Sequence, residues 1–326
     1  MKLAALRDGT PDGTLILVDK HLTCFVPLAE VAATMRDALD RWDEILPELQ
    51  ERSAALNEGS TPDTQALNLS TLLAPLPRAY GWIDGTSYLS HMKRARALRG
   101  ATLPDNFSSE PLMTERVSVF LGARDPLPLL SPDVNMDFEG EIGVILGEVP
   151  AQSTVLAAGS SIRLVTLIND VSLREVLAQA VLRGRSVTLL AKPYPTMAPV
   201  AVTPDELGLA WDGHLLRLPL LCHVNGELVA SPDGSVDATY TFPELISYCT
   251  SYRPLPSGTV LAAGTVSNED DDRGGACIAE RRLIEQKRFG KPKTPYLAVG
   301  DSLKIEMFDI DGLSIFGAIE QRVVTA

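Results

Sequence analysis

The chain has 326 residues, of which 45% are apolar, so it can bury the core of one large domain together with a smaller one. Its 42 acidic residues against 29 basic ones give a formal charge of -13, which argues against nucleic acid or an anionic membrane as the main partner. No apolar run reaches the roughly 20 residues of a membrane-spanning helix, and the first residues lack a signal-peptide core. We therefore expect a cytoplasmic protein without a membrane partner.

Residues 1–72 predict a small N-terminal α+β domain. Short strands are expected at 14–18 and 22–26, followed by an amphipathic helix with Leu39, Trp42, Ile45 and Leu49 on one face. Residues 57–64 have the polar composition of a linker or exposed loop. We place the domain boundary near Leu72, which leaves residues 73–326 as the second domain.

The second domain is mostly strand and turn, which predicts a β-rich α+β fold. Asn225-Gly226 between two apolar runs is the clearest signal of a two-residue hairpin. One helix is expected to begin at a capping box formed by Ser172 and Glu175 and to end at Gly184. Asp170 then lies at a strand-to-helix junction.

Two glutamates one residue apart suggest a metal site. Phe138 and Ile142 share one parity of a predicted strand, so Glu139 and Glu141 project from the opposite face. Like charges held this close raise each other's pKa, and a cation between them keeps both ionised. With Asp170 they offer oxygen ligands that suit Mg²⁺, Mn²⁺ or Ca²⁺. Alternatively, the glutamates form the solvated side of a half-exposed strand and Asp170 is a turn residue.

Further candidates for chemistry are more isolated. Asp84 and His91 lie seven positions apart, and histidine is the natural base near neutral pH. The alternative for His91 is an exposed loop before a basic helix over residues 92–99. Lys192 is a lysine in a largely apolar stretch, either desolvated near a site or snorkelling to the surface. The scattered cysteines lack CxxC spacing and indicate neither zinc nor disulfides, and the aspartates at 270–272 are expected in a solvated loop.

Taken in order, these segments resemble the fumarylacetoacetate hydrolase family over roughly residues 76–326. Glu139-Gly140-Glu141 is similar to the family's E-x-E metal strand, and the segment from Asn169 to Arg174 is similar to its N-D-x-S-x-R motif. The spacing from Asp84 to His91 and the later Glu280 resemble the long-chain branch represented by fumarylacetoacetase. The resemblance implies that family's C-terminal fold, a mixed β-sandwich or roll, behind the N-terminal domain.

The resemblance also implies roles for individual residues. Four carboxylates would bind the metal, Mg²⁺ first among the three ions: Asp84, Glu139, Glu141 and Asp170. His91 would be the base that activates water, Glu280 would orient His91, and Lys192 with Arg174 would stabilise negative charge. Thr265 would contact the substrate carboxylate. Thr86 and Leu177 depart from the family's substrate-contacting tyrosine and glutamine, and Gln179 is the nearest glutamine to the second position.

Together these features predict a metal-dependent hydrolase that cleaves a carbon–carbon bond in a 1,3-diketo or acylpyruvate-type acid. A decarboxylase or keto–enol tautomerase of small 2-oxo acids would need the same metal but no activated water. A catalytically silent, metal-binding scaffold is the third hypothesis. The resemblance also implies a homodimer.

Overall fold

The computed structural model describes residues 1–97, 102–103, 106–107, 109–184 and 188–326. Its helices are α1 (Met35–Asp40), α2 (Trp42–Asn57), α3 (Leu89–Ala97), α4 (Val155–Gly159), α5 (Arg174–Leu182), α6 (Thr188–Ala191), α7 (Phe242–Cys249) and α8 (Ile278–Phe289). Its first strands are β1 (Lys2–Leu6), β2 (Thr14–Val18), β3 (Cys24–Pro27), β4 (Gln65–Ala66), β5 (Gly81–Gly85), β6 (Met113–Arg116), β7 (Leu127–Leu129), β8 (Met136–Asp137) and β9 (Gly140–Leu146). The later strands are β10 (Ile162–Asp170), β11 (Ser172–Leu173), β12 (Pro195–Met197), β13 (Ala201–Val202), β14 (Leu221–Val224), β15 (Glu227–Ala230), β16 (Thr259–Thr265), β17 (Ser302–Glu306) and β18 (Ile319–Thr325).

An 11-stranded mixed sheet organises the fold, in the order β4-β3-β2-β1-β13-β10-β9-β16-β5-β6, with β12 paired to β10. β16 and β5 run parallel, whereas β9 is antiparallel to both of its neighbours, β10 and β16. A second, five-stranded sheet has the order β15-β14-β17-β18-β7. The N-terminal strands β1 to β4 therefore continue the sheet that carries the later strands, instead of forming a separate one.

The large sheet buries both of its faces. One face shares a hydrophobic core with the five-stranded sheet, as Val144 and Val165 pack in the same cluster as Ile305 and Val323. The other face is covered by α1 and α2, whose apolar residues cluster with Ile145. The alternation predicted for β9 is confirmed, because Phe138, Ile142, Val144 and Leu146 all lie in the first core.

The predicted amphipathic surface of the N-terminal helix is confirmed, although two helices supply it. Leu39 of α1 and Trp42, Ile45 and Leu49 of α2 share one buried cluster. The helix is interrupted at Arg41, which is the C-cap of α1 and the N-cap of α2. The fold is thus a sheet-rich α+β structure with a small N-terminal unit, as predicted, whereas the boundary near Leu72 stays a prediction.

Of two local predictions in the second domain, a hairpin and a helix start, one is confirmed and one is wrong. The hairpin at Asn225-Gly226 is confirmed, with both residues at positive φ between β14 and β15 (52° and 84°). The capping box at Ser172 is wrong: α5 begins at Arg174 after Leu173, because Ser172 pairs with Asp137 in a short ladder and its hydroxyl donates to the carbonyl of Asp170.

The helices also test the predicted basic helix and the expected absence of a membrane span. α3 covers most of the basic helix predicted over residues 92–99, whose last two positions lie outside the described residues. Among the helices that the structure describes, none has the length and apolar composition needed to cross a membrane.

Candidate active site

Three carboxylates from neighbouring strands meet at one end of the large sheet. Asp84 lies in β5, Glu141 in β9 and Asp170 at the end of β10. All three side chains are buried, and one carboxylate oxygen of each lies within 4.8 Å of the others. Sheet order explains the meeting, because β10 adjoins β9 and a single strand, β16, separates β9 from β5.

Most oxygens of this carboxylate triad have no hydrogen-bond donor within the described chain. The atoms without a donor are Asp84 Oδ1, Asp170 Oδ1 and both oxygens of Glu141, whereas Asp170 Oδ2 has an ion-pair partner in Lys192. Burial raises the pKa of Asp84 to about 6, against the opposing effect of Arg116, and burial with the neighbouring carboxylates raises the pKa of Glu141 well above its usual range. Buried, unpaired anionic oxygens are costly unless a cation is bound. The donor set therefore fits a hard divalent metal.

Glu139, the fourth predicted ligand, lies beside the triad but points to cations of the chain. Its two oxygens lie 2.5 Å from Lys192 Nζ and 2.6 Å from Arg174 Nη1. Although burial opposes ionisation, these two cations hold the pKa of Glu139 well below its usual range. Lys192 Nζ also lies 2.7 Å from Asp170 Oδ2, so the lysine joins Glu139 to the triad.

Arg116 of β6 is a second cation beside Asp170, in addition to Lys192. Its Nη2 lies 2.5 Å from Asp84 Oδ2 and its Nε 3.5 Å from Asp170 Oδ2. A row of alternating charges thus runs Arg116, Asp170, Lys192, Glu139, Arg174. Each charge in this row has an opposite neighbour, which offsets much of the cost of its removal from water.

Asp137 is the last charge in this row and lies at the N-terminus of α8. Its Oδ2 lies 2.7 Å from both Nε and Nη2 of Arg174. The same carboxylate accepts hydrogen bonds from the backbone N–H groups of Ile278 and Ala279, at 2.8 and 3.0 Å, in the first turn of α8. A carboxylate at this end complements the helix dipole. Asp137 thereby fixes Arg174 and α8 relative to each other.

His91 and Glu280 form the predicted pair. His91 Nδ1 lies 2.5 Å from Glu280 Oε1, while Glu280 Oε2 accepts from Arg94 Nη1 at 2.9 Å and from the Ser267 hydroxyl at 2.8 Å. Despite complete burial, these donors lower the pKa of Glu280 below its usual value. An ionised Glu280 is an acceptor, so in the neutral imidazole this contact places the proton on Nδ1 and the lone pair on Nε2.

A pocket of about 240 Å³ opens onto part of each of these groups. Its lining includes most of the predicted site residues: Asp84, His91, Glu139, Arg174, Lys192 and Thr265. Thr86 and Leu177 also line it, at the two positions that depart from the family pattern. Gln179 does not: it is exposed, and its amide donates to Glu175 one turn earlier on α5, so its prediction as a substrate contact gains no support.

Three residues of this site are not predicted from the sequence: Arg116, Asp137 and Arg94. Arg116 and Thr114 line the pocket from one face of β6, whereas Glu115 between them is exposed. That alternation is visible in the sequence, but only the pairing of Asp84 with Thr114 shows that β6 borders the metal strands. Asp137 directly precedes the predicted metal motif, and Arg94 follows His91 by one helical turn, which are weak local signals.

Residues 81–324 match the sequence model of the fumarylacetoacetate (FAA) hydrolase C-terminal domain, and residues 1–78 match that of fumarylacetoacetase N-terminal domain 2. The chain belongs to the fumarylacetoacetate hydrolase family. The two matched segments meet at residues 79–80, slightly after the boundary suggested by the sequence. The family resemblance predicted from separate motifs is therefore confirmed over nearly the whole chain.

Curated relatives of this family member carry different activities in their names. Oxaloacetate tautomerase FAHD2B, mitochondrial, of Homo sapiens is 26% identical over 204 residues, which are 60% of this chain and 58% of the relative. A 2,4-didehydro-3-deoxy-L-rhamnonate hydrolase of Sphingomonas sp. (strain SKA58) is 27% identical over 66% of this chain and 65% of its own length. The chain thus spans about three fifths of the length of the curated relatives it matches.

A solved structure supports the fold over the full length. Maleylpyruvate hydrolase from Sphingobium sp. SYK-6, in complex with manganese(II) ion and pyruvate, covers 100% of both chains with a TM-score of 0.67 and 16% identity. At that identity the likeness establishes the fold.

Proposed function

We propose that this protein is a divalent-metal-dependent hydrolase that cleaves a carbon–carbon bond of a 1,3-diketo or acylpyruvate-type acid. The observation that carries the proposal is a pocket that is lined by one member of each of two groups. Asp84 belongs to the triad of buried carboxylates, most of whose oxygens lack donors, and His91 belongs to the hydrogen-bonded pair with Glu280. The first suits a metal, and the second suits the activation of water.

Asp84, Glu141 and Asp170 would hold the metal, with Glu139 as the nearest further carboxylate. When bound, the metal would polarise the dicarbonyl oxygens and neutralise the charge that develops on them. We propose Mg²⁺ as the ion, with Mn²⁺ or Ca²⁺ as alternatives, because all have affinity for oxygen ligands. The manganese(II) in the structure of the maleylpyruvate hydrolase supports a divalent cation in this fold.

His91 would act as the general base for hydrolysis. Glu280 accepts the Nδ1–H, so Nε2 is free to take a proton from a water molecule in the pocket. The water oxygen bonds to the carbonyl carbon, and the electron pair of the breaking carbon–carbon bond passes to the departing enolate. Protonation of the enolate at its carbon then gives the second of the two carboxylic acid products. Glu280 stabilises the imidazolium in between, as carboxylate partners do in other triads.

The cations of the pocket would bind and orient the anionic substrate. Lys192 is buried next to Glu139 and Asp170, and these two anions raise its pKa against the effect of burial, so it stays charged. A fixed cation in a dry pocket stabilises a developing oxyanion. We infer the same role for Arg174, while the Thr265 hydroxyl would contact the substrate carboxylate.

A keto–enol tautomerase or decarboxylase of a small 2-oxo acid is the second candidate. The name of the human relative, an oxaloacetate tautomerase, favours it. Such a reaction uses the same enolate stabilisation, but no water has to attack a carbonyl carbon. The two candidates therefore differ in their need for His91 as a base toward water.

The decisive experiment measures loss of enol absorbance of an acylpyruvate, of fumarylacetoacetate and of oxaloacetate, with products identified by mass. Wild type, His91→Gln and the exposed-histidine control His214→Gln are compared with Mg²⁺ or Mn²⁺ and after chelation. We expect metal-dependent cleavage to two acids that falls at least ~100-fold in His91→Gln and is retained in His214→Gln.

The other outcomes point elsewhere. Ketonisation or release of CO₂ that survives His91→Gln would replace the hydrolase proposal by the second candidate. Metal-dependent stabilisation without turnover of any of the three acids would favour a silent metal-binding scaffold. The homodimer and the cytoplasmic location remain part of the proposal, to be tested by sedimentation and by imaging of the tagged protein.

A further inference from the structure

A second group of metal-ligating side chains includes His91, which lines the pocket. His91, Cys277 and Glu280 each offer one ligand atom, and these three atoms lie within 4.8 Å of one another. They supply imidazole nitrogen, thiolate sulfur and carboxylate oxygen, whereas the triad of Asp84, Glu141 and Asp170 supplies oxygen alone. Mixed nitrogen and sulfur donors favour Zn²⁺ and softer ions, and oxygen donors favour Mg²⁺, Mn²⁺ and Ca²⁺.

The position of Cys277 suits a metal-bound thiolate. It is the N-cap residue of the 12-residue helix α8 and is buried, with no side-chain capping hydrogen bond. The positive end of the helix dipole and the nearby guanidinium of Arg174 favour the thiolate. Burial, Asp137 and Glu280 act more strongly in the opposite direction and raise the pKa of the thiol well above its usual value.

We propose that His91, Cys277 and Glu280 form a binding site for a borderline-soft divalent cation such as Zn²⁺, separate from the hard-cation triad. Tetrahedral zinc with bonds of about 2.0–2.3 Å holds its ligand atoms roughly 3.3–3.8 Å apart, a spacing compatible with this cluster. Binding replaces the S–H bond of Cys277 by a sulfur–metal bond, and the proton leaves to solvent. His91 lines the pocket and marks the route of entry.

A metal ion bound at this zinc site would prevent His91 from acting as the general base. The 2.5 Å contact between His91 Nδ1 and Glu280 Oε1 has to open for a metal ion to enter, while Arg94 and Ser267 keep hold of Oε2. His91 would then be a metal ligand and lose the carboxylate partner that stabilises its protonated form. Zinc would therefore inhibit the enzyme even when the triad is saturated with Mg²⁺.

The binding test uses Cd²⁺, because a cadmium–thiolate bond absorbs in the ultraviolet and reports the sulfur ligand directly. Cd²⁺ is titrated into the full chain in excess Mg²⁺, in wild type, Cys277→Ser and the control Cys249→Ser, which removes a half-buried thiol outside the cluster. We expect one equivalent of the absorbing species in wild type and Cys249→Ser, and none in Cys277→Ser. An unchanged band in Cys277→Ser would overturn the proposal.

A second variant guards against misfolding of Cys277→Ser. His91→Asn keeps all four thiols, and loss of one ligand should weaken Cd²⁺ binding at least ~10-fold. Equal affinity in His91→Asn and wild type would also refute the site.

The inhibition test rests on the proposed function, whereas the Cd²⁺ titration does not. We expect Zn²⁺ to inhibit turnover of the acylpyruvate in wild type and Cys249→Ser, and Cys277→Ser to need at least ~10-fold more Zn²⁺, each relative to its own zinc-free rate. Absence of turnover in zinc-free wild type would contradict the proposed function and leave the spectral result valid. Equal inhibition of all three proteins would reject this site as its cause.

Discussion

Glu141→Gln should stabilise the metal-free protein and remove its response to metal. Both carboxylate oxygens of Glu141 are buried without a donor, near Asp84 and Asp170, and these surroundings raise its pKa well above the usual value. A glutamine has nearly the same shape and no charge, and its amide N–H groups can donate to the unpartnered oxygens of the two aspartates. Relief of one unsatisfied buried group amounts to about 1–3 kcal/mol.

In a chain of this length that gain corresponds to a rise in Tm of about 2–6 °C, at roughly 2 °C per kcal/mol. The wild type should instead be stabilised by metal, by about 2.7 kcal/mol at 100 times its Kd, an effect that Glu141→Gln should lose. Thermal unfolding of both proteins in chelator and in Mg²⁺ or Mn²⁺ measures all four values. Glu148→Gln, at an exposed carboxylate beyond the end of β9, is the control. A lower Tm of metal-free Glu141→Gln, or an undiminished metal shift, would refute the reasoning.

Three further predictions concern the cations and protons of the site. Lys192→Met should lower kcat by about 10²–10³, as loss of one oxyanion donor does elsewhere, with Lys304→Met, at a half-exposed lysine of β17, unaffected in the same assay. Arg94→Met should lower kcat about tenfold without changing KM, because it frees Glu280 on the side away from His91; equal losses in the neighbouring Lys93→Met would contradict this. Metal affinity measured by calorimetry should fall at least about tenfold per pH unit as the pH drops below about 6, because protons compete with the cation for Asp84 and for Glu141; a flat profile between pH 5 and 7 would be inconsistent with this competition.

The sequence predicted best what depends on local periodicity. The apolar parity of β9 assigns Phe138 and Ile142 to one core, and thereby places Glu141 on the opposite face. The turn at Asn225-Gly226 follows from two residues that tolerate positive φ. The capping box failed because Ser172 satisfies an equally good alternative, a strand pair with Asp137, which is 35 positions away and invisible to a local pattern.

The cations of the site depend on strand order, which sequence patterns do not give. Arg116 meets Asp84 only because β6 pairs with β5 at the edge of the large sheet. Lys192, by contrast, was identified from its apolar surroundings, a local property. Glu139 also contacts two cations that follow β10 in the chain, Arg174 and Lys192, and the strand pattern does not predict these contacts.

The charge balance of the assembled site indicates what kind of ion it is built for. Three cations, the buried Lys192 and the partly buried Arg116 and Arg174, face five buried carboxylates: Asp84, Asp137, Glu139, Glu141 and Asp170. In their ionised forms these groups leave two negative charges uncompensated, and the unpartnered oxygens lie on the triad. A divalent cation balances this difference, whereas a monovalent ion would leave a buried charge. Among the described residues no cation forms an ion pair with Glu141, whose pKa is raised well above its usual range, so protonation of Glu141 can reduce the imbalance in the metal-free protein. That is why its replacement by glutamine should raise stability and remove the response to metal together.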